Sequence, residues 1–193
     1  MNVTGIILAG GKSSRMGEDK GFVLLNGKPM VQYIIEALKN VVDSIIIISN
    51  NEAYNQFGYP VFSDIIKEKG PVGGIYTGLY YSKTDKNFCI SCDVPLISSD
   101  FIKWMFKKNN TSNITLPLYR GKVHQMIGVY PRNVLAKFKE STEKGYLKLS
   151  QVNKDLGCKI IDIEKDYANF DEMIFSNINT HKELKNITNE SKH

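Results

Sequence analysis

The chain has 193 residues, 42% hydrophobic and 23% charged, which is enough apolar material for one sizeable core. Its longest apolar runs, such as Gly5 to Ala9 and Ser44 to Ser49, are far too short to cross a bilayer, so no membrane span is expected. The net charge of +5 rests on scattered lysines, with arginine only at Arg15, Arg120 and Arg132, and no dense basic block suggests a nucleic-acid partner.

The chain opens with the buried strand Val3 to Leu8 and a glycine-rich loop. Pro29 then starts a helix with Val31, Ile34, Ile35 and Leu38 at i, i+3, i+4 and i+7. Strands are predicted at Ser44 to Ser49, Tyr59 to Phe62 and Phe88 to Ser91, with a glycine-bearing helix from Val72 to Ser82 between the last two. Ser98 or Ser99 caps a helix carrying Phe101, Ile102, Met105 and Phe106. Such a β-α-β-α rhythm predicts a doubly wound, mostly parallel α/β sheet.

Beyond Asn109 the pattern changes to strands at Asn113 to Tyr119 and Lys122 to Tyr130 around an Arg120-Gly121 turn. Helices are expected near Asn133 to Lys139 and Gly145 to Val152, followed by a strand at Lys159 to Ile163. The stretch from Ala168 to Asn179 reads as irregular, and Thr180 caps a last helix. No linker interrupts this order, so a single domain over 1–187 with a polar tail at 188–193 is expected. No charged n-region precedes an apolar segment, and three cysteines make no disulfide framework; the expected compartment is the cytoplasm.

The loop after the first strand reads LAGGKSSRMGEDK, from Leu8 to Lys20. Ligands of open parallel sheets bind outside the carboxyl ends of the strands, where this loop begins. Gly10 and Gly11 let backbone N–H groups approach an anion, Ser13 and Ser14 offer hydroxyls, and Arg15 and Lys20 offer cations. A Walker A loop would need glycine where Ile6 stands, and Gly10, Gly11 and Gly17 miss the dinucleotide spacing. The plainer alternative is a solvated turn.

Asp93, in FCISCDVPLISS just past a strand, can hold Mg²⁺ or merely cap a turn. Cys89 and Cys92 form C-x-x-C, but three positions along a strand put their side chains on opposite faces, so both are read as packing residues. Asn50 and Asn51 end the second strand, where an amide can read a purine edge; Asn179-Thr180 taken alone is a helix cap.

The order L-A-G-G-x-S-x-R-M-G-x-D-K resembles the signature loop of nucleotidyltransferases, and most closely that of the molybdenum cofactor guanylyltransferases, the MobA family. The resemblance runs from Val3 to about Leu184. It implies a fold of the nucleotide-diphospho-sugar transferase type, with a nucleotide-binding half at 1–109 and a second-substrate half at 110–187. The implied activity is transfer of GMP from GTP to the terminal phosphate of molybdopterin, releasing pyrophosphate. It further implies Mg²⁺ on Asp93, catalytic roles for Arg15, Lys20 and Asp93, and GTP contacts from Leu8, Ala9, Gly10, Gly11, Lys20, Asn50, Asp64 and Asp93.

On the second-substrate side the resemblance places Gly70, Pro71 and Gly74 of GPVGGI with Asn177 and Asn179 of N-I-N-T. Relatives with A-A-G in place of Ala9-Gly10-Gly11 are cytidylyltransferases, so Gly10 favours guanine. His124-Gln125-Met126 departs from the family's Q-P-L or H-P pattern. Other cofactor-biosynthesis proteins or molybdoenzyme chaperones are implied partners. Three alternatives stand beside this reading: a molybdopterin cytidylyltransferase, another NTP:phosphate nucleotidyltransferase, and a GTP-binding module without turnover.

Overall fold

The computed structural model describes residues 2–10, 19–109, 112–168, 170–178 and 183. In chain order the strands are β1 (Val3–Leu8), β2 (Leu24–Leu25), β3 (Lys28–Pro29), β4 (Ser44–Ile48), β5 (Val61–Phe62), β6 (Lys86–Ser91), β7 (Thr115–Tyr119), β8 (Lys122–Val123), β9 (Ile127–Pro131) and β10 (Lys159–Asp162). The helices are α1 (Met30–Leu38), α2 (Gly70–Tyr81), α3 (Ser99–Lys108), α4 (Leu135–Lys144), α5 (Leu149–Asp155) and α6 (Ile163–Asp166).

Among the described residues the main sheet has the order β10-β7-β9-β6-β1-β4-β5, with β8 on β7. The neighbours of β1 and β4 are all parallel, whereas β9 runs antiparallel to both β6 and β7. The expected parallel core with a mixed second half is therefore what the chain forms.

Strand alternation sorts the core into two layers. Val3 and Ile7 of β1, Ile45 and Ile47 of β4, and Phe88 and Ile90 of β6 pack with α1 and α3. Ile6, Leu8, Ile46, Ile48 and Cys89 point the other way, onto residues of α2, α4 and α5. At Gly78 of α2 the helix comes so close to β1 that an added Cβ would stand 2.5 Å from the Ile6 side chain. Ser98 caps α3, its hydroxyl accepting from the Phe101 amide at 3.2 Å.

Several boundaries differ from the expectations. The predicted strand from Lys122 to Tyr130 is two strands, interrupted by a turn in which the Ile127 amide donates to the His124 carbonyl. Gly145 ends α4 at φ 76° instead of opening the next helix, which starts at Leu149. The helix placed at Val72 begins two residues earlier, at Gly70. Cys92 lies past the end of β6, yet it faces the layer opposite Cys89. Burial raises the pKa of both thiols, so they stay protonated and inert. The Arg120-Gly121 turn has positive φ at both positions, 47° and 71°, as a two-residue hairpin requires. The predicted last helix from Thr180 falls outside the described residues, apart from Glu183.

Candidate functional site

The parallel strands β5, β4, β1 and β6 all end at one sheet edge, and a cleft of about 930 Å³ opens there. Ladder bonds continue past the strand ends and hold its floor: the Ala9 amide donates to the Ile48 carbonyl at 2.9 Å, and the Cys92 amide to the Leu8 carbonyl at 3.1 Å. Leu8, Ala9, Gly10, Lys20, Asn50, Asp64, Gly70, Pro71, Gly74 and Asp93, each singled out from the sequence, line this cleft together. Gly11, Arg15 and Asn179 lie outside the described residues.

Lys20 and Asp93 meet across the cleft, with Nζ 3.6 Å from one carboxylate oxygen, Oδ2. Asp93 is only 7% exposed, and its other oxygen, Oδ1, has no hydrogen-bond partner among the described residues. A buried carboxylate oxygen left bare is costly unless something else satisfies it. Among the described residues no cluster of three metal-ligating side chains occurs.

Lys20 is held by its neighbours. Asp19 accepts from the Gly21 amide at 3.2 Å, from the Tyr54 hydroxyl at 2.5 Å and from the Asn51 amide side chain at 3.0 Å. Burial, foremost, keeps Tyr54 protonated, so it can only donate to this carboxylate. Gly21 lies directly on the Tyr54 ring.

On the β4–β5 side, Asn50 and Asp64 bond each other twice. The Asn50 amide donates to the Asp64 carboxylate at 3.1 Å, and its oxygen accepts from the Asp64 backbone amide at 3.1 Å. Burial raises the Asp64 pKa, offset in part by the bond from Asn50. Asn51, the neighbour the sequence left as an alternative, lines the cleft as well, its side chain bonded to Asp19 and to the Ala53 amide. Asn50 is exposed at the cleft with hydrogen-bonding capacity remaining on both amide atoms.

The C-terminal segment reaches the same place. The Ile178 amide donates to the Asp93 carbonyl at 2.9 Å, while its side chain packs with Val23, Leu25 and Met30. Asn177 is thus brought beside Asp93, with a buried Oδ1 that has no partner among the described residues. Sequence reasoning missed Gly21, Tyr54 and Glu68. The first two act through contacts no local pattern records. Glu68 lines the cleft at φ 58°, a conformation rare for a side chain of its kind and concentrated at functional sites.

Comparison with known proteins agrees with this geometry. The family model of the MobA-like NTP transferase domain matches residues 5–155. A Flavobacterium johnsoniae protein named "Probable molybdenum cofactor guanylyltransferase" is 36% identical over 186 residues, covering 96% of each chain. The Vibrio campbellii "Molybdenum cofactor guanylyltransferase" is 36% identical, covering 93% of this chain and 91% of that one. Among solved structures, molybdopterin-guanine dinucleotide biosynthesis protein A from Archaeoglobus fulgidus superposes with a TM-score of 0.84 at 19% identity, covering 98% of both chains. The 2-C-methyl-D-erythritol 4-phosphate cytidylyltransferase of Thermus thermophilus shares the fold at a TM-score of 0.72 and 13% identity over the full length of both. With its signature loop, its cleft at the carboxyl ends of the strands and these relatives, the chain belongs to the family of MobA-like nucleotidyltransferases.

Proposed function

We propose that the protein transfers GMP from GTP to the terminal phosphate of molybdopterin and releases pyrophosphate. The observation that carries this reading is the Asp93 carboxylate, with one oxygen unpartnered among the described residues and the other facing Lys20, across a cleft floored by Leu8, Ala9 and Gly10. A module that merely binds nucleotide has no need of a bare buried carboxylate beside the phosphates.

In this reaction an oxygen of the acceptor phosphate attacks the α-phosphorus of GTP. A new P–O–P bridge forms, and the bond to the β-phosphate oxygen breaks with its electron pair leaving on pyrophosphate. The attacking oxygen is already anionic at neutral pH, so no general base is required, and catalysis consists of alignment and charge balance. Lys20, fixed beside the Asp19–Tyr54–Asn51 cluster, supplies positive charge to the phosphates. Gly10 presents its backbone with nothing among the described residues within 4 Å of where a Cβ would stand, leaving room for the nucleotide. Asp93 would hold Mg²⁺ through its unpartnered oxygen, and bound there the ion would offset charge on the α-phosphate and leaving group. Asn50 and Asp64 are assigned to the base, since a carboxylate and an amide accept from the ring N–H and amino group of guanine. Arg15 and Gly11 are assigned to the triphosphate, and Asn177 and Asn179 with Gly70, Pro71 and Gly74 to the acceptor side, on the family resemblance. The cytoplasm and other cofactor-biosynthesis proteins are the proposed setting.

The test is pyrophosphate release with GTP, CTP, ATP and UTP in turn, each with and without molybdopterin cofactor. Release with GTP plus cofactor alone is expected. Release with CTP instead would make the chain a cytidylyltransferase, and no release with any pair would leave it a binder.

A further inference from the structure

Among the described residues, four carboxylates line the cleft, and three already have partners: Asp19 holds Asn51 and Tyr54, Asp64 holds Asn50, and Asp93 faces Lys20. Glu68 is the fourth. It is exposed and has no hydrogen bond or ion pair among the described residues. Its backbone sits at φ 58°, where a long side chain is uncommon and strained. A turn that needed only this backbone would be served more easily by glycine, which the chain uses two residues on, at Gly70 with φ 56°. A glutamate kept at such a position points to a use for its carboxylate.

The turn that carries Glu68 is fixed, and its neighbours give its place. The Ile65 amide donates to the Thr77 hydroxyl of α2 at 3.1 Å, and Ile66 packs on the buried layer that includes that helix. Lys69 presses on α2 so closely that a Cβ on Gly73 would stand 2.6 Å from the Lys69 Cβ. The helix itself crosses β1, where a Cβ on Gly74 would stand 3.4 Å from the Leu8 side chain and one on Gly78 would meet Ile6. Four residues before Glu68, Asp64 is bonded to Asn50 at the end of β4. Glu68 therefore belongs to the short span between the Asn50–Asp64 pair and the start of α2 above Leu8.

A nucleotide's ribose falls in that interval. With the base at Asn50 and Asp64 and the triphosphate at Gly10, Lys20 and Asp93, the sugar joins the two and needs partners of its own. An ionised carboxylate only accepts hydrogen bonds, and it repels phosphate oxygens. The vicinal 2′- and 3′-hydroxyls of ribose are two uncharged donors side by side, which its two oxygens match. An acidic side chain holds a ribose hydroxyl in dinucleotide-binding sheets for the same reason. The base calls on it less, because the Asp64 carboxylate and the Asn50 oxygen already serve the donors of guanine.

We propose that Glu68 is a specificity-determining residue that accepts hydrogen bonds from the ribose hydroxyls of the bound nucleotide, and so selects ribonucleotides over deoxyribonucleotides. This rests on the proposed function, in which base and phosphates occupy the two ends of the cleft.

The test is calorimetric titration of GTP, 2′-deoxy-GTP, 3′-deoxy-GTP and ITP onto the full chain, with Mg²⁺ and without acceptor. ITP lacks only the 2-amino group of guanine. Wild type should bind each deoxynucleotide about tenfold more weakly than GTP, the scale of one hydrogen bond to a charged acceptor. Glu68→Ala should bind GTP as weakly as wild type binds the deoxy forms, with discrimination against them lost and the ratio of GTP to ITP affinity unmoved. Glu68→Gly should do the same while its Tm holds or rises, because glycine accepts φ 58° without strain. That variant separates loss of the carboxylate from damage to the turn. Equal wild-type affinity for GTP and both deoxynucleotides, or wild-type discrimination retained in both variants, would overturn the proposal. So would a change in the ratio of GTP to ITP affinity, which places Glu68 at the base. Absence of pyrophosphate release from GTP plus cofactor would instead defeat the functional reading, and the same series on the nucleotide that binds would still decide Glu68.

Discussion

Gly21→Ala tests whether the packing behind Lys20 sets the geometry of the site. An added Cβ would stand 2.1 Å from the Tyr54 hydroxyl and 2.9 Å from two of its ring carbons, distances at which one of the two must move. Tyr54 has 0% exposure, and its hydroxyl is bonded to Asp19. Overpacking of this kind costs about 1–3 kcal/mol, which lowers Tm by about 2–12 °C in a chain of this length. Displacing Tyr54 or the Lys20–Phe22 turn also shifts Asp19 and Lys20, so turnover should fall at temperatures where the variant is still folded. The decisive measurement is a double-mutant cycle by denaturant unfolding. Tyr54→Phe removes the atom in closest conflict, and in that background Gly21→Ala should cost at least about 1 kcal/mol less than in wild type. Equal costs in both backgrounds would refute the claim that this contact braces the lysine.

Lys20→Ala should lower kcat by about a hundredfold while weakening GTP binding far less; a variant with wild-type kcat removes Lys20 from the reaction. Asp93→Ala should lose Mg²⁺-dependent activity, and retention of that activity at ordinary Mg²⁺ concentration takes Asp93 out of the metal site. The pH dependence of stability should report on His124, which sits among Arg120, Lys122 and Glu172 with its pKa lowered from 6.5 to about 4. The unfolded chain takes up that proton first as pH falls, so the histidine's contribution is intact above pH 6.5 and drains away between 6.5 and 4. Urea unfolding of His124→Phe against wild type should show a shallower loss over that window, and identical profiles would show that this imidazole is not held neutral.

Sequence reasoning reached the parallel core because β1, β4 and β6 are short, mainly apolar segments buried on both faces, and because Ser98 announces α3 with a side chain that does cap it. It reached the cleft because strand-end residues share one edge by topology, whatever their separation along the chain. The break between β8 and β9 was hidden because no glycine or proline marks His124 to Met126; the tertiary hold of Tyr130 and Asn153 on Gln125 decides it. Asn26-Gly27, both at positive φ between β2 and β3, was an explicit hairpin signal passed over between the Leu8–Lys20 loop and the helix after Pro29. The Asp19–Asn51–Tyr54 cluster was illegible for another reason. Its members lie 32 and 35 positions apart, and each alone is an ordinary loop or turn residue.

The antiparallel insertion of β9 between β6 and β7 has a consequence for the chain while it is being made. When β6 emerges from the ribosome it can pair with β1, but its other side stays open until β9 follows, roughly forty residues or about 2–8 s later. For that interval a nascent chain carries Phe88, Cys89 and Ile90 on a bare strand edge, the kind of template that recruits other chains. A stalled chain ending near Asn109 should therefore aggregate on release, whereas one reaching past Pro131 should stay dispersed, and sedimentation of the two separates the cases.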